Sequence, residues 1–260
     1  MLTGGIPMKS THKTVIPKYL TLGAGGLGLI LRFALYATGF DGRGLLVAGH
    51  WANVGLCVLT AITIPALFFL CRTLDASAEY TDCYPASPVA ALGAALAGCA
   101  ILVTGIIEFS AWTRIDLIAS VLAVAAGVSL LILTVFRLRG KKPTPLLHAL
   151  VCLFFAIRMV QRYRFWSADP QLQDYCFCLG AYVALMLASY HHAAFDAGMG
   201  SHKGLWFCSL TGTFLGCLSV KSLADTYLLL CCSVWAFTNL THQGPQQCQP
   251  EVKNSEDAQG

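Results

Sequence analysis

The chain has 260 residues, 56% hydrophobic and 12% charged, with a formal net charge of +4 and a mean hydropathy of +0.64. Soluble domains carry about 25% charged residues. This composition therefore excludes a disordered chain, a coiled coil, a disulfide-stapled secreted scaffold and an ordinary soluble enzyme, and it predicts an all-α polytopic integral membrane protein whose first partner is the lipid bilayer.

A membrane helix needs about 20 mostly apolar residues. After a polar, cytoplasmic N-terminal stretch (1–18), the first such segment covers residues 19–39, holds the small-residue run Gly23–Gly28, and carries Arg32. It is too long an apolar run to read as a cleavable signal peptide. The second covers 45–71 and contains Pro65, a candidate kink. The third, 88–110, is rich in Ala and Gly from Ala90 to Gly98, spacing that lets helix backbones approach closely, and ends near Glu108. The fourth, 116–136, is an unbroken apolar run followed by the basic stretch Arg137–Lys142. Such runs do not alternate polar and apolar positions, so helices are expected rather than barrel strands. The fifth segment, 145–163, has His148 near its start and Arg158 toward its end. The sixth, 173–196, carries Tyr175, Tyr182 and Tyr190, expected on one helical face, and ends in His191, His192 and Asp196. The last two, 204–221 and 224–241, are parted only by Ser222 and Leu223, so a single re-entrant unit is the alternative and would make seven spans rather than eight. Residues 242–260 are polar and are expected to form a disordered cytoplasmic tail.

With eight spans both termini share one face. Placing them in the cytoplasm puts Lys9, Lys13, Lys18, Arg72, Arg137, Arg139, Lys141, Lys142, Lys203 and Lys253 inside, against seven cations at the outer ends, the asymmetry expected for a plasma-membrane protein oriented this way. The positive net charge is thereby accounted for without a nucleic-acid partner. Of the twelve cysteines, ten fall in predicted spans, where they act as small packing residues; Cys83 and Cys248 fall on the cytoplasmic side.

The basic loop divides the chain into two stretches of four spans. Ile30-Leu31-Arg32 before Asp41 is echoed by Ala156-Ile157-Arg158 before Asp169, which suggests two four-helix halves in parallel orientation. Ionisable residues at membrane depth mark sites by default. Arg32 and Arg158, with Glu108 able to pair with either and Tyr182 nearby, form the candidate substrate-binding set for a small anionic solute, because guanidinium groups grip carboxylate or phosphate with paired bonds. Asp41, Arg43, Arg114, Asp116, Arg162, Arg164, Asp169 and Asp174 would line a polar vestibule around it. The plainer reading makes these residues structural ion pairs and headgroup contacts. His148, His191 and His192 are the candidate ligands for a metal or haem, with the two adjacent rings about 100° apart so that one at most joins.

The segment from Arg158 to Gly200, with Arg162, Arg164, Trp166, Asp169-Pro170 and the Tyr-bearing span after it, resembles uncharacterised polytopic membrane proteins of clostridial-type bacteria. The resemblance implies a membrane helical bundle in a bacterial plasma membrane and no particular activity. The sequence contains no Walker loop, HExxH, GxSxG or dinucleotide-binding glycine motif, so no catalytic residue and no cofactor is assigned. Transport or permeation of a small molecule or ion is the leading expectation. A non-catalytic membrane subunit or sensor is the second, and a membrane enzyme or redox carrier the third.

Overall fold

The computed structural model describes residues 10–41, 47, 49–74, 86–109, 114–166, 172–220 and 223–241. Arg43, Cys83, Asp169, Lys221, Cys248 and the tail from 242 onward lie outside the described residues, as do the side chains of Arg114 and Asp174. The described residues form eight helices and no β-strand: α1 (Ser10–Thr38), α2 (Trp51–Arg72), α3 (Pro88–Glu108), α4 (Arg114–Arg139), α5 (Pro145–Trp166), α6 (Leu172–Asp196), α7 (His202–Leu218) and α8 (Leu223–Thr241). Six of them, α1 to α6, are long and apolar enough to cross a membrane. Helix α7 has 17 residues and rises about 26 Å at 1.5 Å per residue.

Local signals set several boundaries. Ser87 caps α3 by accepting from the Ala90 amide at 3.2 Å, and Pro88 follows where no amide partner is needed. Ser201 caps α7 in the same way through Gly204. Past the end of α4, Gly140 takes a φ of +61°, the left-handed turn that glycine permits at a helix end. The start of α1 departs from expectation. The helix begins at Ser10 rather than at the first apolar residues, because Lys13 and Lys18 limit where a helix enters lipid without opposing helix formation itself.

Helices α3, α4, α5, α6, α7 and α8 pack as a closed ring in chain order, with α8 returning to α3. The α1–α2 hairpin leans on α7 from outside that ring. The first four helices are therefore not a bundle of their own. Two hairpins from that half seat separately, α1–α2 on α7 and α3–α4 between α5 and α8, so the halves are interleaved rather than side by side. Small residues govern the close contacts. A Cβ on Gly98 would meet the Gly127 carbonyl at 3.1 Å, and one on Gly127 would meet the Gly98 carbonyl at 2.9 Å, so α3 and α4 cross backbone to backbone. Gly93 lies similarly against α8 at Thr238 and Trp235, and Ala97 is fully buried.

The apolar surface is distributed as lipid solvation requires. Helices α1 to α4 expose rows of large side chains such as Leu22, Ile30, Phe33, Val58, Ile62, Ile106 and Val128. Helix α7 exposes none of this kind: Leu205, Trp206, Leu210, Phe214, Leu215 and Leu218 are all buried, and neighbours approach through Gly212 and Gly216. A helix buried along its length, small hydroxyl residues included, and enclosed by α1, α2, α6 and α8 is a core element.

Candidate functional site

Two polar regions sit at opposite ends of the ring and are built from the same helices. The first starts on α5. Arg158, Gln161 and Arg162, spaced three and four residues apart, share one helical face. Arg158 donates through Nη1 to Glu108 at the end of α3 and to Gln161 Oε1 at 2.9 Å, and through Nη2 to Asp225 Oδ1 at 3.1 Å in the first turn of α8. Arg162 donates to the same two carboxylates, to Glu108 Oε1 at 3.2 Å and to Asp225 Oδ1 through Nε at 3.1 Å. Tyr182 of α6 adds its hydroxyl to Asp225 Oδ1 at 3.1 Å. Gln161 Nε2 passes the network on to Asp116 Oδ1 of α4 at 2.7 Å.

Two guanidinium groups thus face three carboxylates, and exposure is graded across them. The side chain of Arg158 is 1% exposed and that of Asp225 7%, whereas Arg162 and Glu108 reach 18% and 20%. The network is sealed at Arg158 and open at Arg162 and Glu108. The buried Nε–H of Arg158 has no hydrogen-bond partner among the described residues. Glu108 holds a telling position: one oxygen takes Arg158 and the other Arg162, the bridging arrangement an incoming carboxylate would adopt.

Of the residues singled out in the sequence, Glu108, Arg158, Tyr182, Arg162 and Asp116 meet here. Arg32 does not take Glu108. It is buried, donates through Nε to the Val220 carbonyl at 3.0 Å, and lies over the Tyr36 ring at 5.2 Å. Helix α1 packs outside the ring, so Glu108 is served from α5 instead. The tyrosines of α6 do not share a face as expected: Tyr182 is fully buried and Tyr190 is 58% exposed. Eight residues carry a helix about 80° past a whole number of turns, which is enough to turn Tyr190 outward. Asp225 and Gln161 complete the network. In sequence Asp225 is a lone carboxylate in the first turn of an apolar helix, and nothing in its neighbourhood points to α5.

The second region lies at the other end, beside the basic loop. His148 Nδ1 of α5 and Asp196 Oδ2 of α6 are 2.5 Å apart. The His148 ring stacks on His192, centroids 5.0 Å apart and planes within 15°, and Trp235 of α8 closes over both at 6.4 and 5.6 Å. Arg137, at the end of α4, donates through Nε and Nη2 to Asn239 Oδ1 at 3.2 and 3.0 Å. A small pocket with room for about one water molecule opens among Arg137, His148, His192, Asp196, Trp235 and Asn239. His191 points elsewhere and covers Gly204 of α7, so the adjacent histidines part as their helical angle requires. Among the described residues no group of three or more His, Cys, Asp or Glu is arranged to hold a metal ion. The ten described cysteines are free thiols.

Comparison of the chain with protein families, with curated proteins and with solved structures gives no significant match. The functional reading therefore rests on these two regions alone.

Proposed function

We propose that the chain is a multi-pass bacterial plasma-membrane protein of eight spans, with both termini cytoplasmic, that moves a small anionic solute across the bilayer by way of the network at Arg158, Arg162, Glu108, Asp225 and Tyr182. The observation that carries the reading is Glu108. Its carboxylate bridges two guanidinium groups at the open edge of an otherwise buried set. A solute carboxylate has the same geometry and charge, and a phosphate likewise offers two oxygens to paired guanidinium donors, so either can replace Glu108 while Asp225 stays held by Arg158, Arg162 and Tyr182. The exchange needs no isolated charge inside the bundle, the cost that forbids most charge movement at this depth.

The rival reading, a non-catalytic subunit or sensor in which the network clamps helices, draws on the same internal pairing, since nearly every donor is already bonded. Uptake into liposomes separates the two. Protein reconstituted into lipid vesicles is tested with radiolabelled acetate, lactate and inorganic phosphate against protein-free vesicles. The transport reading predicts saturable uptake of at least one, reduced more than about tenfold by Arg162→Gln, as loss of a charge-assisted bond implies, with the variant as heat-stable as the parent. No uptake of any of the three, together with lower thermal stability of the variant, supports the clamp.

A further inference from the structure

Asp196 is 3% exposed and its side chain only 1%, yet its one ion-pair partner among the described residues is His148. Its second oxygen, Oδ1, has no hydrogen-bond partner among the described residues and belongs to a residue that lines the pocket. A carboxylate enclosed to this degree is stabilised by positive charge close by. Arg137 lines the same pocket and donates through Nε and Nη2 to the neutral Asn239 amide, which leaves its positive charge in place beside the pocket. The group in direct contact with the carboxylate is the His148 imidazole, and it adds a further positive charge only when it carries a proton on both nitrogens.

We propose that the His148–Asp196 pair is a proton-binding site, loaded from the face that carries the Arg137–Lys142 loop. In the unloaded form His148 Nδ1–H donates to Asp196 Oδ2 and Nε2 keeps its lone pair. A proton from bulk water, passed by a water molecule bonded to Asp196 Oδ1, is taken up at Nε2. This gives an imidazolium against a carboxylate, with no other bond made or broken. The groups that face His148 are His192 and Asp196 from α6, Arg137 from α4, and Trp235 and Asn239 from α8, while α3 contributes only Ala94. Asp196 favours the loaded form. Arg137, and His192 if it is itself protonated, oppose it. The site lies at the other end of the ring from the solute network, and it gives His148 a role that needs no metal.

Trp235 provides the readout, because a protonated imidazole beside an indole quenches its fluorescence. The full-length protein in lipid nanodiscs is titrated through about pH 5 to 8, where histidines change charge, and the Trp235 component is isolated as the difference from Trp235→Phe. The expected result is a single quenching step as pH falls. His148→Asn should abolish it, and His192→Asn should keep it. Asp196→Asn should alter the step, since the imidazole loses the carboxylate it pairs with. If Asp196→Asn does not fold, the two histidine variants decide. A step that survives His148→Asn, a step lost in His192→Asn but not in His148→Asn, or a Trp235 signal indifferent to pH overturns the proposal.

Discussion

The two polar regions use the same helices and solve the problem of buried charge in opposite ways. At the Arg158 end, charge is neutralised by number: two guanidinium groups bond two carboxylates, Tyr182 adds a hydroxyl, and Gln161 links a third carboxylate, Asp116, across α3, α4, α5, α6 and α8. At the His148 end, a single carboxylate leans on one imidazole, rings enclose them, and one oxygen is left over. Between them lies a waist of fully buried apolar side chains, with Val151, Phe154 and Phe155 on α5, Leu185 on α6, Ile101 on α3 and Leu130 on α4. From His148 to Arg158 the helix rises about 15 Å. The contrast teaches that a permanent guanidinium builds a fixed network, whereas a titratable ring builds a site whose charge follows the solution.

The largest effect expected from breaking this arrangement is at Arg158. Arg158→Met leaves Glu108 and Asp225 short of their buried partner and should cost about 3–5 kcal/mol, read as a large fall in the thermal unfolding temperature of the detergent-solubilised protein. Cutting the waist comes next. Phe154→Ala should cost about 3 kcal/mol through the cavity it leaves, and if the two regions are separate it should leave the Trp235 titration unchanged. Asn239→Ala removes the acceptor of two Arg137 N–H groups and should cost about 2 kcal/mol, with a change in Trp235 fluorescence and none in solute uptake. Tyr182→Phe removes one of several bonds to Asp225 and should cost about 1 kcal/mol, measurable by the same unfolding assay.

Hydropathy located the helices because partition into lipid is a matter of composition, and the helix ends fell within a few residues of the apolar segments except at the starts of α1 and α2. The partners across helices were a different matter. Arg158 meets Glu108 and Asp225 from 50 and 67 residues away, separations that no local spacing encodes. In a soluble helix the apolar face names the core, but here lipid is as apolar as the interior, so Tyr182 and Tyr190 looked alike while one is buried and the other turned outward. Asp196 was legible as a residue near His191 and His192. Its bond to His148 depended on α5 and α6 packing as neighbours with the right rotation, which only the structure supplies.

The central claim is that Glu108 occupies a place an anionic solute can take, and Glu108→Gln tests it most directly. The glutamine keeps the shape and loses the charge that competes for Arg158 and Arg162. Binding of acetate and of inorganic phosphate to parent and variant is followed by thermal stabilisation at fixed pH. The account predicts that the variant binds at least one of them more tightly than the parent does. A variant that is simply less stable, with no gain in binding of either anion, would show that the network is a clamp and contradict the account.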